Sequence, residues 1–265
     1  MKLVAIDLDG TLLTSAHEVS PATIEAVAET RAAGVEVVLA SSRGIGSMRP
    51  ILGKLQLFSP AEFISAQGAL TGSLDRTGVL RISAISSIPL ALARQVVALT
   101  EGADIQIGWY RGLDWFVPAL NAMVEHEAAT VRQRPTVRNL FEITLAPEKL
   151  LLVSTPDRVG DLQSLAKSLP DGLAAQFSHS NYLEVTREGV DKGAALSRIC
   201  EARRIAPVDV VAIGDGFNDL GLFAFAGVSV AMANAPEAVR AAATMVTGSN
   251  DEDGVASALR MLARV

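Results

Sequence analysis

Leu3-Val4-Ala5-Ile6-Asp7-Leu8-Asp9-Gly10-Thr11 is the stretch whose reading decides the fold. Leu3 to Ile6 form an unbroken apolar run, the pattern of a strand buried on both faces, and two carboxylates follow at once. Downstream, Ser20-Pro21 has the form of an N-cap with proline at the first helical position. Ile24, Val27 and Ala28 then recur at helical spacing, and Gly34 closes the element. Val35 to Ala40 reads as a second buried strand, running into the polar Ser41-Ser42-Arg43. Strand, helix and strand at this length describe a right-handed βαβ unit.

The far end of the chain repeats the style. Lys192 to Arg204 is helical, Val208 to Ile213 is a β-branched strand, and Asn218 to Ala226 is a helix stopped by Gly227. Val228 to Ala231 and Met245 to Thr247 read as strands, with helices over Pro236 to Ala243 and Val255 to Val265. The middle differs. Ile105 to Tyr110 and Leu113 to Val117 read as a hairpin around Arg111-Gly112, and helical patterns cover Leu120 to Val131 and Val159 to Leu169. Strands are expected at Leu150 to Val153, Ala174 to Phe177 and Tyr182 to Thr186. The expectation is an α/β fold: a discontinuous parallel-sheet domain (1–83 and 182–265) interrupted by an α+β module (84–181).

Composition narrows the function. The 265 residues are 49% hydrophobic and 20% charged, which excludes a disordered chain and is enough for one large domain or two modest ones. Lys and Arg number 23 against 29 Asp and Glu, a net charge of −6, so no global field recruits nucleic acid or an anionic membrane. No apolar run approaches the ~18 residues of a membrane span, and the N-terminal one is too short for a signal-peptide core. A cytoplasmic protein, monomer or homodimer, is expected. Cys200 has no intrachain partner and suits core packing, and His17, His126 and His179 lack zinc-ligand spacing.

The chemistry sits at strand ends, where an open parallel sheet forms its ligand crevice. The first strand ends in Asp7 and Asp9, the second in Ser41-Ser42-Arg43, and another in Gly214-Asp215-Gly216-Phe217-Asn218-Asp219. Lys192 opens the helix before the last of these. Gathered at one edge, Asp7, Asp9 and Asp215 repel one another unless a cation sits among them, and an all-oxygen set suits Mg²⁺. A carboxylate there can attack phosphorus, and a second, two residues on, can move the protons.

Asp7-Leu8-Asp9-Gly10-Thr11 resembles the nucleophile motif of the haloacid dehalogenase superfamily. Ser41 matches its hydroxyl motif, Lys192 its lysine motif, and Gly214 to Asp219 its acidic motif. Further segments resemble the Cof-type branch with a type IIB cap: Ala40-Ser41-Ser42-Arg43, Gly189-Val190-Asp191-Lys192-Gly193, Val230-Ala231-Met232-Ala233-Asn234-Ala235 and Asp253-Gly254-Val255-Ala256. The resemblance spans nearly the whole chain. It implies a Rossmann-like parallel-sheet core with an inserted α+β cap between Ser41 and Lys192. It further implies Asp7 as nucleophile and Asp9 as general acid and base. Mg²⁺ would rest on Asp7, the Asp9 backbone carbonyl and Asp215, supported by Asp219. Ser41, the Ser42 N–H, Lys192 and Asn218 would hold the phosphoryl oxygens. The implied activity is hydrolysis of small phosphorylated metabolites, sugar phosphates foremost, through an aspartyl-phosphate. A phosphotransferase or mutase would use the same intermediate, and a catalytically weak phospho-metabolite sensor the same site. Three positions depart from the branch's usual residues: Gly216 replaces an Asn, Ser41-Ser42 replaces Thr-Gly, and Gln67-Gly68 replaces Asn-Gly.

Plainer readings compete at several positions. Asp7-x-Asp9-Gly10 is not an EF-hand, because its Gly falls at the fourth loop position and a strand precedes it. Asp215 and Asp219 can cap the helix that follows, and Lys192 alone would be an ordinary surface lysine. Arg43 either binds substrate or pairs with an acid. Trp109, Tyr110 and Trp115 suit a module core better than a substrate platform, while His179 lies near the return from the module, where a loop can face the site. A receiver-type phosphorylation switch is disfavoured, since receivers are about half this length and place their acceptor Asp after a middle strand.

Overall fold

Residues 3–7 form the central strand of the larger of two sheets, and its side chains are buried on both faces. The computed structural model describes residues 1–263; the end of the expected closing helix, Arg264 and Val265, lies outside the described residues. The strands before the inserted module are β1 (Leu3–Asp7), β2 (Glu36–Ala40), β3 (Phe63–Ser65), β4 (Leu70–Leu74) and β5 (Leu80–Ile85). Those of the module are β6 (Ile105–Arg111), β7 (Asp114–Val117), β8 (Thr136–Val137), β9 (Lys149–Ser154), β10 (Leu173–His179) and β11 (Tyr182–Arg187). After it come β12 (Val210–Gly214), β13 (Val228–Ala231) and β14 (Met245–Val246). The helices are α1 (Pro21–Ala32), α2 (Ile45–Lys54), α3 (Leu90–Thr100), α4 (Ala122–Val131), α5 (Val159–Lys167), α6 (Lys192–Arg203), α7 (Leu220–Phe225), α8 (Glu237–Ala242) and α9 (Gly254–Leu262).

The large sheet runs β14-β13-β12-β1-β2-β3-β4-β5, parallel from β14 to β3 and then antiparallel. Period-two geometry sends alternate β1 residues into two cores. Val4 and Ile6 pack with Ala26 and Val27 of α1, Met48 of α2 and Leu259 of α9. Leu3 and Ala5 pack with Leu196 and Ile199 of α6 and Phe223 of α7. The chain moves from β1 outward to β2 on one side and returns through β12 on the other. The carboxyl end of β1 is therefore the point where strand order reverses, and the crevice opens there. Helix α1 starts as the sequence predicts, the Ser20 hydroxyl accepting the Thr23 N–H at 3.1 Å, and Gly34 takes φ +84° just past its end.

The second sheet runs β10-β11-β9-β6-β7-β8, antiparallel apart from β7 with β8. One face packs on α3 and α5 through Val96, Trp109, Leu152 and Leu162, the other on α4 through Trp115, Val124 and Leu151. Its boundaries differ from the expected 84–181. Strand β5 belongs to the large sheet as far as Ile85, since it completes a hairpin with β4. Strand β11, expected to begin the returning core, is the antiparallel partner of β9 and β10, so the second sheet runs on to Arg187. The texture of a hairpin strand, Tyr182-Leu183-Glu184-Val185, is local and does not reveal which sheet it joins. Among the described residues, no helix is long and apolar enough to cross a membrane.

Candidate active site

Four loops meet beyond the carboxyl end of β1. Asp7 is the last residue of that strand and is 4% exposed, with Asp9 just beyond it. Gly10 follows at φ +77°, and a Cβ there would run into the Asp215 carboxylate, so the approach of the two loops depends on glycine. Thr11 Oγ1 donates to Asp215 Oδ1 at 2.9 Å, and Asn234 Nδ2 donates to the Gly10 carbonyl at 2.8 Å, tying the β13 loop to the same place. Gly216, the departure noted in the acidic motif, leaves the space into which the Asn218 side chain folds.

Lys192 lies beneath this floor. It opens α6 behind the N-cap Asp191, and the close packing of Gly193 on the Gly221 backbone brings α6 against α7. The Lys192 side chain is wholly buried, and its Nζ donates to Asp7 Oδ1 at 2.6 Å and to Asp219 Oδ1 at 2.7 Å. The other Asp219 oxygen accepts the N–H groups of Asp215 and Gly216, each at 3.0 Å. Burial opposes the Lys192 charge, but Asp219 and Asp7 together outweigh it and hold the ammonium form. Removing one partner of a buried ion pair strands the other. Lys192→Met is accordingly expected to destabilise the fold by about 3–5 kcal/mol, since it strands two buried carboxylates. Urea unfolding measures this, and an unchanged midpoint would contradict the arrangement.

The carboxylates carry more negative charge than Lys192 can balance. Oxygens of Asp7, Asp215 and Asp219 lie within 4.8 Å of one another. Burial, then the Asp219 charge, raises Asp7 well above the usual carboxylate range despite Lys192. The same two causes, in that order, push Asp215 up to about 6. Such a set of crowded oxygen donors fits a hard divalent cation, whose charge would favour the ionised forms. Asp219 is committed to Lys192 and to two backbone N–H groups, whereas Asp7 and Asp215 line the cavity and are the carboxylates placed to hold it.

Asp9 stands apart from that cluster. Arg43 grips its carboxylate from Nε at 2.8 Å and Nη2 at 2.6 Å, and His17 Nδ1 lies 3.8 Å from Oδ1. Burial works against ionisation, yet the nearby His17 imidazole and the Arg43 hydrogen bonds and charge prevail and hold Asp9 below the usual range. Of the two readings left open for Arg43, pairing with an acid is the one this geometry displays.

The loop after β2 is held from below. Ser41 is 1% exposed and its Oγ accepts the Arg43 N–H at 3.0 Å, so Ser41 lies under the cavity wall that Ser42 and Arg43 form. Gln67, at φ +60°, donates its backbone N–H to the Ser41 carbonyl at 3.1 Å. The cavity above has a volume of about 270 Å³. Asp7, Asp9, Ser42, Arg43, Asp215 and Asn218 line one side of it, and the second sheet supplies the other. His179 is on that wall, at the end of β10. Trp109 and Trp115 are buried in the module, in line with the plainer reading, whereas Tyr110 is both core and cavity wall.

Several wall residues escape sequence reasoning: Glu127, Lys149, Tyr182 and Glu184 from the module, and His17 and Asn250 from the core loops. Lys149 in an otherwise apolar strand and Glu184 between Leu183 and Val185 are the signals that could have found two of them. A charge inside a buried strand needs a partner, and here the Nζ–Oε2 distance is 2.7 Å. Lys149 Nζ also donates to the Ser42 carbonyl at 2.8 Å, linking the module to the loop after β2.

Comparison with known proteins agrees with this layout. The family model described as haloacid dehalogenase-like hydrolase matches residues 4–259. The chain is 30% identical over 273 residues to the pyridoxal phosphate phosphatase YbhA of Escherichia coli, covering 96% of each. It is 28% identical over 286 residues to the 5-amino-6-(5-phospho-D-ribitylamino)uracil phosphatase YwtE of Bacillus subtilis, covering 97% of this chain and 96% of that one. Among solved structures it superposes on a haloacid dehalogenase-like hydrolase from Bacteroides thetaiotaomicron with a TM-score of 0.89 at 30% identity, over 98% of this chain and 99% of the other. Thermotoga maritima TM0651 gives 0.85 at 29% identity, over 98% and 97%.

Proposed function

This chain belongs to the haloacid dehalogenase-like hydrolases, and we propose that within that family it is a Mg²⁺-dependent phosphatase of small phosphorylated metabolites, sugar phosphates foremost. The observation that carries the reading is the buried Asp7–Lys192–Asp219 bridge, crowded by Asp215, at the carboxyl end of β1. Relatives named as phosphatases of pyridoxal phosphate and of a phosphorylated ribitylaminouracil support the class without fixing the substrate. A cavity of about 270 Å³ suits a metabolite rather than a macromolecule.

Asp7, the Asp9 carbonyl and Asp215 are the groups that would hold Mg²⁺, which when bound supplies positive charge to the phosphoryl oxygens and to the crowded carboxylates. The chain's own residues do the rest. Lys192 holds Asp7 Oδ1, which orients the carboxylate for attack on phosphorus. The bond from phosphorus to the leaving oxygen breaks as the Asp7–phosphorus bond forms, and Asp9 gives that oxygen its proton. Water then attacks the aspartyl-phosphate, Asp9 takes the water's proton, and Asp7 is regenerated as phosphate leaves. Ser42 and Asn218 line the cavity, and the Ser42 N–H and the Asn218 amide are suited to bond the phosphoryl oxygens as charge spreads over them, with Ser41 shaping the loop from beneath.

Arg43 bears on the acid step. Its grip keeps Asp9 ionised, which suits the base half of the cycle and opposes the acid half. A phosphoryl group in the cavity competes for the same guanidinium, and drawing Arg43 onto its oxygens leaves Asp9 able to carry a proton.

Phosphate release from a panel of phosphomonoesters tests the proposal, with added Mg²⁺ and again with excess EDTA. Multiple turnovers with Mg²⁺ and a loss of at least about a hundredfold with EDTA are expected. Full activity in EDTA would remove the metal from the account, and no release from any ester would remove the phosphatase.

A further inference from the structure

The wall that the second sheet turns toward the cavity carries charges the reaction does not use. Glu127, on α4, is 9% exposed and lines the cavity. Two cations are near enough to act on its charge, Lys149 and Arg43, and both are committed elsewhere. Lys149 is bound to Glu184 at 2.7 Å and to the Ser42 carbonyl at 2.8 Å, with its Nζ 4.5 Å above the centre of the Tyr110 ring. Arg43 is bound at two points to Asp9. Glu184 takes a further hydrogen bond from Ser178 at 3.2 Å. Among the described residues Glu127 thus has no ion-pair partner of its own, and the wall facing the leaving group bears one carboxylate in excess.

An excess carboxylate in a largely dry wall has a definite chemical preference. It can accept a hydrogen bond from a hydroxyl or an ammonium group, and it repels a carboxylate or a second phosphate in a setting where charge is poorly screened. Burial raises the Glu127 pKa, which fits a group lacking full compensation in the free protein. Tyr182, beside it on the same wall, adds a neutral phenol rather than a cation. At the floor, Ser42, Arg43 and Asn218 are placed to hold an anion, while the wall sets the His179 imidazole and the committed Lys149 beside its excess carboxylate. The two ends of the cavity differ in sign preference: anion at the floor, donor at the cap.

Resting on the phosphatase reading, we propose that Glu127 is a specificity-determining residue. It receives a hydroxyl or amino group of the leaving alcohol, so the enzyme takes monophosphates of polyols and amino polyols and rejects bisphosphates and phosphorylated acids.

Glucitol 6-phosphate and 6-phosphogluconate differ only at the terminal carbon, an alcohol in one and a carboxylate in the other, and so isolate this charge. Their dissociation constants are measured by calorimetry with Mg²⁺ in an Asp7→Asn background, where neither ester is consumed. Glucitol 6-phosphate is expected to bind at least about tenfold tighter. Adding Glu127→Gln should shrink the ratio to within about threefold, and adding Glu127→Lys should invert it. Equal binding, tighter binding of the gluconate, no binding of either ester, or a ratio unmoved by both substitutions overturns the proposal. Hydrolysis of p-nitrophenyl phosphate by the unmodified protein reports separately on the phosphatase reading, whose failure would leave the measured binding ratio standing.

Discussion

Asp7→Asn is expected to lower phosphate release by at least about ten-thousandfold while leaving the protein folded. The activity loss follows from the chemistry: an amide oxygen does not attack phosphorus to give a stable acyl phosphate, and no other carboxylate is placed to replace it. Asp219 has both oxygens bonded, Asp9 is held by Arg43, and Asp215 is engaged by Thr11 and Asn234. The retained fold follows from electrostatics. Asp7 is buried next to two other acids and is raised well above its usual range, so its ionised form is unfavourable in the metal-free protein. Asparagine keeps an oxygen to accept from Lys192 and removes the repulsion. Stability is therefore expected to stay within about 1 kcal/mol of the parent. Turnover within about tenfold of the parent would take the nucleophile role from Asp7.

Asp9→Asn should show a different signature. General acid–base catalysis contributes about a hundred- to ten-thousandfold, and a loss in that range is expected for esters of poor leaving groups. With p-nitrophenyl phosphate the first half-reaction needs little protonation, because the leaving phenolate is already stable. The second half still needs a base for water. A burst of nitrophenol matching the enzyme concentration, followed by a slow steady state, is the expected trace in a stopped-flow recording. A linear trace at the parent's rate would separate Asp9 from both proton transfers. Circular dichroism on the same sample checks that losing the Arg43 grip has not cost the fold.

The core half of the site is legible in the sequence because its residues sit where apolar runs end. Asp7, Ser42 and Asp215 each follow a strand that the pattern marks clearly, and a parallel sheet brings such ends together by construction. Lys192 is legible through its place at a helix start, although nothing in its neighbourhood predicts complete burial. The other half is illegible for a physical reason. Glu127, Lys149, Tyr182 and Glu184 come from a helix and two strands of the inserted module, and they meet the site only because that module packs over the crevice. No local pattern encodes that packing. The boundary at Tyr182 fails similarly, since strand partnership depends on tertiary pairing rather than on hydrophobic alternation. Arg43 lies between these cases: its position near Asp9 is legible, but the choice between substrate and acid is decided by side-chain geometry.

The claim on which the rest depends is that phosphorus passes through a covalent bond to Asp7. Acid quenching of the Asp9→Asn protein during its slow steady state with p-nitrophenyl phosphate, then peptide mass spectrometry, tests it most directly. One hydroxylamine-sensitive phosphoryl adduct on Asp7 is expected, close to one per enzyme molecule. A burst of nitrophenol with Asp7 unmodified, or with the phosphoryl group on another residue, would contradict it.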